Sequence, residues 1–208
     1  MIKKKIVLIG AGGHALSCID SIEQENKFKI GGLVGLESEV DSYVGGYKVL
    51  GTDSDLKKML KHFPFALITV GQIKSARQRI RLFLEANEIG FELPYIISPT
   101  SYVSTNSPIG KGSIILHGVI INKGVSIGNN CIINSRTLIE HGAKISDHCH
   151  VSTGAILNGD NYVGARSFIG SGAILKHGIS IGSDCQIGMG QVVFQNVENF
   201  QTVTTRKY

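Results

Sequence analysis

With 208 residues and a formal net charge of +5, the chain is long enough for one or two small domains with cores of their own. No apolar run reaches the ~18 residues of a membrane-spanning helix, and residues 1–5 lead straight into a short strand, so neither a membrane span nor a signal peptide is expected and a cytoplasmic setting follows. The positive charge is spread out. Its densest parts, Lys57-Lys58 with Lys61 and Arg77, Arg79 and Arg81, stand at helical spacing as solvated helix faces, without the interleaved aromatics that stack nucleic-acid bases.

In chain order, residues 4–9 predict a buried strand. The loop Gly10-Ala11-Gly12-Gly13-His14 follows, then a helix over residues 15–25. A second strand spans 30–34, and Val49-Leu50 is a short extended piece. Asp53 is placed to N-cap a helix running to His62. A third strand over 65–70 leads to a basic helix over 75–88, and an edge or irregular strand over 91–97 contains Pro94. This alternation implies a small parallel sheet of doubly wound, Rossmann-like type over residues 1–100. Its glycine loop has the form G-x-G-x-x-A, in which backbone N–H groups at a helix N-terminus bind phosphate. The acidic residue that holds a dinucleotide ribose belongs at the end of strand two. Here that place is Val34-Gly35-Leu36, with Glu37 only later. The loop therefore fits a nucleotide-sugar pyrophosphate better than NAD. His14 stands where it could touch a phosphate or cap the turn.

From residue 101 the period changes to six. Every sixth residue from Val103 to Val193 is aliphatic, sixteen in succession without a slip. The residue four further on is usually small, as at Ser113, Cys131, Ala155 and Ser167. Neither a helix nor a simple strand has this period; a parallel β-helix does. The large side chain points inward, the small one fills a corner, and Gly or Asn residues take the turns. Three hexapeptides close one triangular coil, so residues 18 apart stack about 4.8 Å apart. Cys131, Cys149 and Cys185 then share one corner column with Ser167 and serve as free core filler. The cluster His148-Cys149-His150 lacks metal-ligand spacing, because its middle residue points inward; no metal site is expected. Gly154, Gly172 and Gly190 form a stripe along one edge that a long, thin ligand could approach closely. His141 and His177 lie two coils apart in one column, His117 in another.

Four segments together resemble one family: GAGGH at 10–14, TVG ending at Gly71, NSRTLIEHG at 134–142 and HVSTGAILNGD at 150–160. They resemble the NeuD/PglD-type acetyltransferases, hexapeptide-repeat enzymes that O-acetylate sialic acid or N-acetylate nucleotide-linked aminosugars for bacterial surface glycans. The resemblance covers nearly the whole chain. It implies a left-handed β-helix over residues 101–208, acetyl-CoA as donor, and a homotrimer with active sites between neighbouring coils. It implies His141 as the catalytic base. Gly12, Gly13, His14, Gly71 and Asn134 are implied as substrate contacts, and His150, Gly159, Ser171 and Met189 as contacts to acetyl-CoA. An acceptor must lose a proton as it attacks a thioester, and imidazole suits that task near neutral pH. Three departures stand out. Gly142 occupies the position where many relatives carry a carboxylate after the histidine; relatives that bind UDP-sugars often carry acidic residues at the end of strand two to contact the base, where Val34-Gly35 has none; and the chain ends QTVTTRKY, without the Gly-x-Pro-Ala segment that commonly closes over CoA. The expectation is N-acetylation of a nucleotide-linked deoxy-aminosugar, a partner bound without nucleic acid or membrane insertion. O-acetylation of a sialic acid is the close alternative. A metal-dependent lyase and a non-catalytic scaffold are the readings from other classes.

Overall fold

Strand β1 (Lys4–Ile9) is buried over its last four residues and forms an inner strand of a five-stranded sheet. In the computed structural model, which describes residues 3–204, it is followed by helix α1 (Gly13–Glu25) and strand β2 (Phe28–Val34). Strands β3 (Tyr43–Val44) and β4 (Tyr47–Gly51), helix α2 (Leu56–Met59), strand β5 (Phe65–Ile68) and helix α3 (Arg77–Ile89) complete the domain. The sheet order is β3-β4-β2-β1-β5. All pairings are parallel except the β3–β4 hairpin, so the expected parallel sheet carries one antiparallel edge.

Two expected elements are shorter. The helix from Asp53 to His62 is a 3-10 turn, Asp53–Asp55, followed by a single helical turn. Thr52, not Asp53, precedes it, and its N–H donates to the Asp55 carboxylate at 3.1 Å. The N–H groups of both His62 and Phe63 turn back to the Met59 carbonyl, closing the segment before Pro64, whose ring disfavours helix in the residue before it. The strand over 91–97 divides around Pro94. Glu92 makes one parallel bridge to Phe65, whereas Ile96–Ile97 pairs with Ile114–Ile115 of the following domain.

That domain is a parallel β-helix with three flat faces. One face holds seven strands from Ile96–Ile97 to Thr202–Val203, the second six from Tyr102–Val103 to Val192–Val193, and the third four from Ser126–Ile127 to Ser180–Ile181. Successive strands on a face pair in register 18 residues apart, as Ile133 with Val151 and Ile139 with Leu157. The sixfold aliphatics form one continuous core from Ile115 to Val193, and Cys131, Cys149 and Cys185 lie within it, all free. The corners take positive φ. Alongside glycine and Asn130 they recruit Arg136, His148, Asp160, Arg166 and Asp184. Arg166 and Asp184 then form a two-point ion pair at 2.9 and 2.7 Å between adjacent coils.

The seven-stranded face carries the first domain. Its outward residues Ile114 and Ile132 are fully buried and share a core with Leu116, Ile6, Leu8, Cys18 and Ile22. His117 adds a polar clamp across the seam, with Nδ1 2.7 Å from Ser98 Oγ and Nε2 2.8 Å from Asp20 Oδ2. Among the described residues, no helix is long and apolar enough to cross a membrane.

Coil spacing is fixed by backbone hydrogen bonds, so a methyl group wedged between coils has nowhere to go. A Cβ on Gly164 would lie 2.5 Å from the backbone of Gly182 and Ser183, whereas one on Gly178 meets nothing within 4 Å and suffers only its φ of +72°. Gly164→Ala should cost ~3 kcal/mol or more, the upper end for overpacking. Gly178→Ala should cost ~1–2 kcal/mol. Urea denaturation of both variants checks the order, and equal losses would contradict tight coil stacking.

Candidate functional site

Beyond Ile9 the chain turns sharply over the ends of β2 and β5. The Gly10 N–H donates to the Val34 carbonyl at 2.8 Å, and Thr69 Oγ1 donates to the Gly10 carbonyl at 2.6 Å. Gly12 is the N-cap of α1 and offers no capping side chain. The first N–H groups of the helix are therefore free to bind an anion. Neither Gly12 nor Gly13 has any neighbour within 4 Å of where a Cβ would stand.

A cavity of about 530 Å³ opens above this loop, lined by Gly12, Gly13, His14, Gly35, Glu39 and Gly71 among others. A second, of about 430 Å³, lies on the seam between the domains. His14, Ser17, Gly71 and Gln72 line it from one side, and Asn134, His150, Ser152, Phe168, Ser171 and Met189 from the other. His14, Gly71 and Ile73 line both cavities. Six of the residues expected from the sequence thus meet around the second cavity, with Gly12 and Gly13 in the first.

His150 points out of the coil toward the first domain and is 6% exposed. Its Nδ1–H donates to the Gln72 carbonyl. That bond leaves Nε2 as a bare lone pair, 3.5 Å from the Asn134 amide nitrogen. Asn134 is itself oriented, because its Oδ1 accepts the Ser135 N–H at 2.8 Å. The His150 ring stands edge-on to Phe168, with centroids 5.1 Å apart. Burial pushes the His150 pKa down to about 4; the Gln72 carbonyl opposes the shift and the Arg79 guanidinium adds to it. His14, with Nε2 3.4 Å from Cys18 Sγ, is pushed down to about 3 by burial, then by Arg79 and His150. Both imidazoles are neutral at physiological pH.

Arg79 corrects the sequence reading. It lies not on a solvated helix face but 1% exposed between α3 and the coil. Its Nη1 donates to the carbonyls of Ile68 and Val70 at 2.7 and 2.8 Å, and its Nε to the Asn130 carbonyl at 3.4 Å. Among the described residues it has no ion-pair partner within 4.0 Å. It clamps the strand end that leads through Gly71 to Gln72, and its charge opposes protonation of both histidines. The signal was available: Arg79 shares a helical face with Leu82, Phe83 and Ala86, all buried.

His141 and Gly159 are not at these cavities. Ser135, Thr153, Ser171 and Met189 follow one another at 18-residue steps along one edge of the prism, beside Gly154, Gly172 and Gly190, where a Cβ would meet open space. His141, Gly159 and His177 share the next edge, across the six-stranded face. There His141 is exposed, with its ring 6.2 Å from that of His177. A Cβ on Gly159 would lie 2.5 Å from the His141 ring, and one on Gly142 would lie 2.0 Å from Asp160 Oδ1. Asp160, from the next coil, thus occupies the space of the missing side chain after His141, with Oδ2 3.7 Å from His177 Nε2. Glu140 does not assist the ring; it accepts the Asn122 amide at 2.9 Å. The metal-like triplet diverges: Cys149 lies in the coil core, His148 meets Asn130 and His150 meets Gln72. The chain end singled out for its missing closing segment lies, from residue 205 on, outside the described residues.

Comparison with known proteins matches two family models. The PglD N-terminal domain covers residues 5–82, and the hexapeptide repeat of succinyl-transferase covers residues 124–158 and 161–195. No curated protein sequence matches. Among solved structures, PerB from Caulobacter crescentus, in complex with CoA and GDP-perosamine, is 30% identical with a TM-score of 0.88, over 96% of this chain and 92% of that one. The perosamine N-acetyltransferase of the same organism, as a histidine-to-asparagine variant with the same two ligands, is 29% identical with a TM-score of 0.89, over 96% and 92%. The acetyltransferase domain of PglB from Neisseria gonorrhoeae FA1090, in complex with acetyl coenzyme A, is 27% identical with a TM-score of 0.88, over 97% and 96%.

The buried neutral state of His150 has a thermodynamic consequence. Its folded-state pKa lies below the ordinary value of 6.5, so the unfolded chain binds the proton first as pH falls. The stability it contributes is complete above 6.5 and is lost as pH falls toward about 4. Urea denaturation between pH 6.5 and 4 should show a slope ~1.4 kcal/mol per pH unit shallower in His150→Asn than in the parent chain. Identical slopes would show that His150 is not held neutral.

Proposed function

The chain belongs to the PglD-type sugar acetyltransferases of the hexapeptide-repeat class, and on that footing we propose that it transfers an acetyl group from acetyl-CoA to the amine of a nucleotide-linked deoxy-aminosugar. The observation that supports this most is the lining the two cavities share: the one over the glycine loop, suited to a pyrophosphate, and the one over the coil edge at Ser171 and Met189, suited to a long thin donor, have His14, Gly71 and Ile73 in common. In this reading the pyrophosphate lies against Gly12 and Gly13, and the sugar passes His14 and Gly71 toward Asn134. The pantetheine arm follows the edge of Gly154, Gly172 and Gly190, beside Ser171 and Met189.

Transfer joins the amine nitrogen to the thioester carbonyl carbon, breaks the C–S bond and releases CoA as its thiol, with one proton leaving the nitrogen. In this reading His150 does not donate to the thioester oxyanion. With Nδ1–H spent on Gln72, it has no proton to donate there; Nε2 accepts an N–H and orients the group that carries it. The Asn134 amide and backbone N–H groups of the coil edge are the donors for the thioester oxygen. His141 remains the assigned base, and Asp160 the carboxylate that accompanies its edge. Since His141 stands across a face from the cavity, this reading requires a homotrimer in which the His141 edge of a second copy closes each site.

His141→Asn should lower kcat by about 10²- to 10⁴-fold, the usual range for a general base, with KM values for both substrates within a few-fold. CoA thiol release with nucleotide-linked 4-aminosugars measures it. Mixed oligomers of His141→Asn and Gly12→Glu, each inactive alone, should regain turnover because one copy supplies the cavity and the other the base. Full activity of His141→Asn, or turnover only with sialic acid, would overturn the assignment.

A further inference from the structure

Gln72 stands on the seam between the two domains with its backbone bonded and its side chain not. Its carbonyl accepts the His150 Nδ1–H. Its carboxamide is buried without a partner: the residue is 1% exposed, and among the described residues neither Oε1 nor Nε2 makes a hydrogen bond. A buried amide in this state costs stability that an apolar side chain of the same shape would not. The residue lines the cavity on the seam, and a partner for it can come from there. The terminal torsion of a glutamine is soft, so the carboxamide turns without moving the carbonyl that holds His150.

Other polar side chains around this cavity are already committed. Ser152 and Ser171 pair with each other at 2.9 Å. Asn134 has its Oδ1 on the Ser135 N–H, which leaves its NH₂ to donate. His150 has only the Nε2 lone pair with which to accept. Beside these, Gln72 offers a donor and an acceptor together.

We propose that Gln72 is a specificity-determining residue that reads a ring hydroxyl of the acceptor sugar. The assignment rests on the proposed function and deepens it, because it names a group that the acceptor carries besides its amine. The argument is one of complementarity. A hydroxyl donates one hydrogen and accepts through its lone pairs. A single hydroxyl therefore closes a ring on a primary carboxamide, giving its hydrogen to Oε1 and accepting one from Nε2. The reacting amine cannot take this place. Its nitrogen has one lone pair, and a pair that accepts the Nε2–H cannot attack the thioester carbonyl. A ketone or ether oxygen accepts but gives nothing to Oε1, and a methylene group answers neither end. The hydroxyl thus satisfies in the complex what the free chain leaves unsatisfied.

Isothermal titration of the full chain with GDP-, UDP- and dTDP-linked 4-aminosugars, intact and lacking one ring hydroxyl at a time, tests the assignment without requiring turnover. Pairing a buried donor and acceptor that were unpaired is worth on the order of tenfold to a hundredfold in affinity. One deoxy acceptor should bind the parent chain weaker by about that factor than the intact sugar does. Gln72→Met keeps the length of the side chain and removes both polar ends. It should bind the intact sugar and that deoxy acceptor within about twofold of each other, both as weakly as the parent binds the deoxy acceptor. Without ligand its melting temperature should rise by roughly 2–4 °C, because an unpaired buried amide is gone. Equal affinity of the parent chain for intact and deoxy acceptors, a hydroxyl preference that survives Gln72→Met, or a melting temperature that falls would overturn the proposal. Failure here is separable from failure of the catalytic reading. Acetyl transfer with the same hydroxyl preference in both chains would sink the Gln72 assignment alone. A preference lost in Gln72→Met, without acetyl transfer to any aminosugar, would sink the proposed function alone, and absence of binding by every one of these sugars would overturn both.

Discussion

The interaction on which this protein depends is the hydrogen bond between one coil and the next. Each strand of the β-helix is only two residues long, far too short to stand alone. It persists because its backbone groups pair above and below with residues 18 positions away. That register converts a one-dimensional sequence into columns. It stacks the aliphatics into a core and sorts the polar residues onto three faces and three edges. It also decides which chemistry can meet: residues 18 apart are neighbours in one column, and residues 12 apart stand on different edges.

The second organising feature is the seam where the α/β domain lies on the seven-stranded face. An outward face of a β-helix would ordinarily meet water, but here Ile114 and Ile132 are buried in the first domain's core. The same seam holds polar groups where a dry interior raises the cost of charge. The protein resolves this by keeping two histidines neutral and spending the single positive charge of Arg79 on carbonyls. Gln72 is the link between the halves: its carbonyl fixes the His150 tautomer, and the Arg79 clamp fixes the strand end before it.

The coil was legible in the sequence because its period is imposed by backbone geometry and repeats sixteen times. The glycine loop was legible because its residues are contiguous. What was hidden lay where two distant segments meet. The charge of Arg79 pointed to the surface, and only its spacing with Leu82 and Ala86 betrayed its burial. Glu39 is separated from the end of β2 by a turn that has no sequence signature of its own. Gly159 was grouped with Ser171 and Met189 through family resemblance, although 18-residue arithmetic already put it beneath His141. Asp160 could have been found in the same way, as the residue 18 beyond Gly142.

The buried seam also bears on selectivity. The two domains are joined by a common core, with His117 bridging Ser98 and Asp20 across the join. The span from the glycine loop to His150 is set when the chain folds, like the opening of a caliper. An acceptor is then measured by length as well as by functional groups. Under the proposed function, a bare aminosugar bearing the right amine has no handle at the far jaw. In the proposed reaction the nucleotide then serves as a spacer as much as a recognition tag.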